Sequence, residues 1–201
     1  FIDVEKDEWC EEIDTSEDIV REIKLSSKEI IERIKDRGIV GLGGAAFPTH
    51  VKYMVPEDKK AEYLIINAAE CEPYLTSDNR VILEHTEEVL IGIEIMKKAL
   101  NINKAKIGIE ANKPKAIEAL RKMLNQYPGT EVVPLKTKYP QGAEKQLIYA
   151  LTKREVPSGK LPIEVACVVN NVGTAFAIYQ AVQKNRPLID NILTFTGKKT
   201  T

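Results

Sequence analysis

The chain has 201 residues, enough for one generous domain or a domain with an appendage. A hydrophobic fraction of 43% and a charged fraction of 29% are those of a soluble globular protein. A formal net charge of −1 gives no electrostatic case for nucleic acid or an anionic membrane surface. The three cysteines, Cys10, Cys71 and Cys167, lie far apart with no CxxC pair. Free thiols in a reducing cytosol are therefore expected, with no zinc or iron–sulfur site held by this chain alone. No apolar run approaches the roughly 20 residues of a membrane helix, so direct membrane insertion is not expected.

In chain order, residues 1–25 read as an acidic, loosely ordered lead-in with room for one short helix. From Ser26 a capping serine precedes Glu29, and Ile30, Ile31 and Ile34 form an apolar stripe at helical spacing that ends at Gly38. A glycine-rich run follows, from Gly41 to Thr49. The apolar stretch 62–68 reads as a buried parallel strand. Residues 80–100 read as one helix, with Leu83, Val89, Leu90, Ile93 and Met96 on its apolar face. Then come a strand at 106–110, a helix at 113–126, a strand at 131–135 and a helix at 143–151. A strand at 165–169 and a helix at 175–183 complete the series. Strands alternating with helices predict an α/β layer fold around a mainly parallel sheet, occupying 26–191. Residues 192–197 read as a further strand entering a turn. A chain that begins at Phe1 and stops there is expected to be part of a longer product, with 192–201 opening a following domain.

Chemistry collects in four stretches that fall beyond strand ends or at helix starts, where an α/β sheet places its ligands. Closely spaced glycines at Gly41, Gly43 and Gly44, with Lys52 beyond them, allow a backbone to approach a ligand and expose its N–H groups. Alone, the run serves equally as a tight turn packing a helix on a sheet. It is neither the GxGxxG fingerprint, because Ala46 stands at the last position, nor a Walker loop. The second stretch puts Asn67, Glu70 and Glu72 directly after a buried strand; these face either a ligand or, as a solvated acidic turn, water. Cys71 within it reads as a packed thiol, since only His50 and His85 are available as bases. In the third, Tyr139 and Gly142 lead into a helix whose first turn holds Glu144, which also suits the helix dipole. In the fourth, Asn170, Asn171 and Thr174 lead into the last helix, where they either cap it or offer its free N–H groups to a phosphate.

The runs 41–52, 67–74, 139–147 and 169–174, in this order, resemble RnfC, the C subunit of the Rnf electron-transport complex. That family is in turn similar to the NADH-oxidising flavoprotein subunit of respiratory complex I. The resemblance covers most of the chain from Ser26 onward. It implies a three-layer Rossmann-like FMN-binding domain of the complex I flavoprotein type that exchanges hydride with NAD(H). By position it implies cofactor contacts from Gly41, Gly43, Gly44, Lys52, Asn67, Glu70, Glu72, Tyr139, Gly142, Asn170, Asn171 and Thr174. The FMN phosphate falls to Asn171, Thr174 and Lys52. Phe47 is implied as a stacking surface for the NADH adenine, and Glu144 as a neighbour of the nicotinamide.

Three departures stand out. Ala46 adds a methyl where the complex I relatives usually carry glycine, while Ala69 and Ala143 replace acidic residues there, a pattern typical of the Rnf side. No residue is needed as general acid or base, so none is assigned a catalytic role, and no metal ligand is assigned. The 4Fe-4S clusters of the resembled family belong to a cysteine-rich C-terminal region beyond this chain. Partners implied are NAD(H) and the other subunits of a membrane complex, which would hold the protein on the inner face of the cell membrane from the cytoplasm. Two other readings share these motifs: the electron-input flavoprotein of a reductase system such as proline reductase, and a cofactor-free docking module.

Overall fold

The computed structural model describes residues 8–197; the start of the lead-in and the last residues of the expected following domain, 1–7 and 198–201, lie outside the described residues. Helix α1 (Ser27–Asp36) begins where its capping pair dictates. The Ser26 hydroxyl accepts the Glu29 N–H, and the Glu29 carboxylate accepts the Ser26 N–H at 2.7 Å. Ile30 and Ile34, one turn apart, are fully buried. A five-residue helix, α2 (Thr49–Tyr53), follows the glycine run. It was not legible in the sequence, because one turn and a half carries no hydrophobic period.

Four strands, β1 (Tyr63–Ala68), β2 (Ala105–Glu110), β3 (Thr130–Leu135) and β4 (Cys167–Asn171), pair in parallel in the order β3-β2-β1-β4. The chain steps outward from β1 to β3, then returns to lay β4 on the other side of β1. That reversal opens a crevice beyond the C-terminal ends of β1 and β4, the place where open α/β sheets bind ligands.

Successive side chains of a strand serve opposite faces, and β1 shows it. Leu64 and Ile66 join the core under α4 (Thr86–Leu100), α5 (Pro114–Met123) and α7 (Val172–Gln183), whereas Ile65 joins the smaller core under α6 (Glu144–Thr152). The result is the expected three-layer α/β domain. Two glycines permit its closest approaches. A Cβ on Gly92 of α4 would lie 2.0 Å from the Ala175 carbonyl oxygen of α7, and one on Gly108 of β2 would lie 2.7 Å from Leu147 Cδ1 of α6.

Some expectations need correction. The stretch expected as one helix is two, α3 (Ser77–Glu84) and α4, parted at His85 (φ −131°, ψ 40°). The His85 ring stacks on Phe176 with centroids 4.3 Å apart, and its Nδ1 lies 3.1 Å from Glu88 Oε1. Strand β4 starts two residues later than expected and runs directly into α7, so 170–174 are strand end and helix start rather than loop. The described lead-in, 8–25, contains no helix and is not loose: Lys184 Nζ holds Asp14 at 2.7 Å, Gln183 Nε2 donates to the Val20 and Glu22 carbonyls, and Arg21 pairs with Glu87. Residues 192–197 form no strand. Among the described residues, no helix is long and apolar enough to cross a membrane, and no group of His, Cys, Asp and Glu could hold a metal ion.

Candidate functional site

The glycine run is an excursion from a small antiparallel bridge. Val40 pairs with Pro48, the Gly41 N–H donates to the Phe47 carbonyl at 2.8 Å, and the Thr49 N–H donates to the Ile39 carbonyl at 3.0 Å. The residues between turn through two left-handed positions, Gly44 (φ 120°) and Ala46 (φ 48°). Ala46 thus carries its extra methyl in a conformation that glycine adopts without strain. The excursion is tied to the last helix, where Thr174 Oγ1 accepts the Leu42 N–H at 3.0 Å. Thr174 is fully buried, so its hydroxyl holds the run in place instead of facing a cavity.

Asn67, near the end of β1, clamps the third motif. Its Nδ2 donates to the Gly142 carbonyl at 2.9 Å and its Oδ1 accepts the Ala69 N–H at 3.1 Å. Any side chain at 142 would collide, since its Cβ would lie 2.7 Å from the Ala69 carbonyl oxygen. Lys52, on α2, donates from Nζ to the Val169 carbonyl at 2.8 Å. Burial pulls its pKa below the ordinary lysine value, partly opposed by the Glu144 carboxylate. Asn170 is 3% exposed, and its amide lies beside the buried Tyr53 hydroxyl without a well-formed hydrogen bond. Burial drives the Tyr53 hydroxyl far above the usual phenol pKa, and the Asn170 side chain opposes that rise.

These elements enclose a cavity of about 290 Å³ lined by Gly41, Gly43, Phe47, Lys52, Asn67, Gly142, Glu144, Asn170 and Asn171. It shares Phe47, Lys52 and Glu144 with a more apolar groove of about 490 Å³, walled also by Val51, Met54, Leu161 and Ile163. Nine of the residues singled out in the sequence therefore meet at one place. The other five do not line it. Gly44 and Glu72 are exposed, Tyr139 is 69% exposed, and Thr174 lies beneath the run. Glu70 instead caps α3: its carboxylate accepts the Asp78 and Asn79 N–H groups at 2.8 and 3.2 Å and pairs with Lys113 at 3.2 Å.

Sequence reasoning missed Asp78. Its Oδ2 accepts a hydrogen bond from Asn171 Nδ2 at 2.7 Å, while Asn171 Oδ1 accepts the Gly173 N–H at 2.8 Å. Burial, and then the nearby Glu70 charge, push its carboxyl up to about 7, against the pull of Asn171 and Lys113. In the sequence it stands two residues before the helix expected at 80–100 and reads as an ordinary acidic residue, so no local signal marks it.

The cavity offers a polar ligand one cation and several amide groups. The buried Asn170 amide, beside the Tyr53 hydroxyl but without a well-formed hydrogen bond, leaves unused polar capacity at this wall. A Cβ on Gly43 would meet Asn171 Cβ at 3.4 Å, an ordinary contact, so the glycine widens the cradle without being sterically required. Lys52 is the one cation on its wall among the described residues.

The chain is also similar to known proteins. The sequence profile of the Nuo51 FMN-binding domain matches residues 34–180, and the chain belongs to that family. It is 54% identical over 194 residues to the C subunit of the proton-translocating ferredoxin:NAD(+) oxidoreductase complex of Clostridium ljungdahlii, covering 96% of this chain and 41% of that protein. It is 49% identical over 173 residues to the Na(+)-translocating counterpart of Acetobacterium woodii, covering 86% of this chain and 39% of that one. The likeness to the RnfC family, read first from four motifs, thus holds across nearly the whole sequence, although the chain spans only about two fifths of these relatives' length. Among solved structures, an NAD+-reducing nickel–iron hydrogenase matches with a TM-score of 0.66 at 25% identity, over 79% of this chain and 30% of that one.

Proposed function

We propose that the chain binds FMN in the crevice beyond β1 and β4, and that it is the NAD(H)-reactive part of an RnfC-type subunit of a ferredoxin:NAD oxidoreductase complex. The observation that carries this is the glycine-lined cavity with Lys52, Asn67 and the buried Asn170 on its wall, in a chain of the FMN-binding family. FMN, when bound, would supply an isoalloxazine able to accept hydride from NADH and pass electrons on singly. The chain's own residues orient and hold. Lys52 offers its charge to the phosphate, and Asn170 offers both a donor and acceptors to a polar ring edge. The backbone at Gly41 and Gly43 allows close approach. Phe47, 46% exposed where cavity and groove meet, suits stacking on an adenine. Glu144, at the start of α6, borders both spaces and suits a nicotinamide contact. The 4Fe-4S centres that onward transfer needs are assigned to the part of the relatives beyond this chain, and attachment to the inner face of the membrane to partner subunits.

Titration of FMN fluorescence against the purified chain tests the reading. Saturable quenching, and bleaching of the bound flavin's absorbance by NADH, are the expected results. Lys52→Ala should weaken FMN binding about tenfold or more, as expected for a lost charge-assisted contact. A colourless chain that neither quenches FMN nor responds to NADH would sink the proposal and leave the docking module.

A further inference from the structure

We infer that Asp78 is a positioning residue for the cofactor, acting through Asn171, whose amide it fixes in one orientation. The inference rests on the FMN reading above. Among the described residues, Asn171 is the one that lines both the flavin cavity and a second cavity of about 190 Å³ behind it, walled in part by Asp78, Leu42, Gly173 and Arg186. Asn171 is therefore the partition between the two. Its amide is committed at both ends: Oδ1 takes the Gly173 N–H at 2.8 Å, which turns Nδ2 away from the helix and onto Asp78 Oδ2 at 2.7 Å. An ionised carboxylate only accepts, so it can pair with the NH₂ end alone, and the amide cannot flip.

Asp78 is itself fixed. Its backbone N–H is held by Glu70 at 2.8 Å, and Glu70 is held by Lys113 at 3.2 Å. The line Lys113–Glu70–Asp78–Asn171 thus carries rigidity from the turns after β1 and β2 to the cavity wall. The charged groups facing Asp78 are Glu70 from the turn after β1, Lys113 from the turn before α5, and Arg186 and Asp190 across the second cavity. A carboxylate is costly in this setting, and α3 does not need it as a cap, since Glu70 takes the free N–H groups of its first turn. What it adds over a neutral residue is a one-way, charge-assisted grip on Asn171.

The test measures FMN dissociation constants by fluorescence for the parent chain, Asp78→Ala, Asp78→Asn, Asn171→Ala and the Asp78→Ala/Asn171→Ala double variant. At pH 8, Asp78→Ala should weaken binding about tenfold, and Asp78→Asn only a few-fold, since its carbonyl can accept the same N–H. The double variant should bind no more weakly than Asn171→Ala alone, as residues acting in series require. The advantage of the parent over Asp78→Asn should shrink as pH falls through about 7, a ratio in which titration of the FMN phosphate cancels. Without any FMN, the Asn171 side-chain amide resonance should titrate near that pH in the parent and stay flat in Asp78→Asn. Failure of the parent to bind FMN overturns the functional reading. A parent that binds FMN, with Asp78→Ala binding as tightly or adding its full factor to Asn171→Ala, overturns the positioning role. Should Asp78→Ala fail to fold, the Asp78→Asn ratio and the amide titration decide alone: a flat ratio with a non-titrating amide overturns it.

Discussion

Glu70 shows how a residue can be singled out for the right region and the wrong task. A carboxylate directly after a buried strand signals an interaction, and it makes several, but with the first turn of α3 and Lys113 and not with the cavity. Asn67 and Lys52, by contrast, line the cavity as their residue types suggested, because each combines a polar head with a strand end or short helix that fixes it there. The difference is distance along the chain. Nothing local reveals that Glu70 closes on residues eight and nine positions later, or that Thr174 reaches Leu42 across 132 positions. The capping role makes a firm prediction. Glu70→Ala leaves two helix N–H groups and Lys113 without their partner, and should lower stability by about 1–3 kcal/mol in urea denaturation. It should also lower the Asp78 pKa, because the Glu70 charge is one of its raising influences. Unchanged stability would mean that water replaces the cap at no cost.

At the scale of elements, the parallel sheet and its helices were legible because their apolar periods are long and unbroken. What escaped was set by tertiary contact. The apolar stripe continues across His85, so no sequence signal could show that stacking on Phe176 parts α3 from α4. The direct passage from β4 to α7 was hidden for a similar reason: Asn170 and Asn171 look like loop residues, yet one is buried in the sheet opposite Ile66 and the other, in the last rung opposite Asn67, caps the helix. Gly92 tests how tightly these layers are fixed. Its missing side chain lets α4 meet α7, and α7 carries Thr174 beneath the glycine run. Gly92→Ala gains helix propensity of roughly 1 kcal/mol but drives a methyl into a backbone carbonyl. The clash should win, giving a net loss of about 2 kcal/mol or more together with weaker FMN retention. A more stable Gly92→Ala chain would show that the two helices slide apart without cost.

Across the whole molecule, the switch in strand order concentrates both the cavity and its most strained charge at one end of the sheet, and stability and binding should pull against each other there. Asp78 holds its proton more tightly in the folded chain, up to about 7, than at its ordinary value of 3.8. Its contribution therefore favours folding in acid, is complete below 3.8 and is lost as the pH rises through about 7. A difference of about three units, at about 1.4 kcal/mol each, sets an upper bound near 4 kcal/mol on what the ionised carboxylate costs above neutrality. Asp78→Asn removes the charge with little change of shape. It should make the free chain more stable than the parent at pH 8 by about 1–4 kcal/mol, with the gain dwindling toward zero near pH 4. Saturating FMN should narrow that gap, because the cofactor stabilises in proportion to its affinity and the parent binds it more tightly. Paired denaturation curves at several pH values, with and without FMN, measure both effects. A constant difference between the two chains at every pH would show that Asp78 titrates in the folded protein as it does in the unfolded chain, and that the end of the sheet stores no such cost.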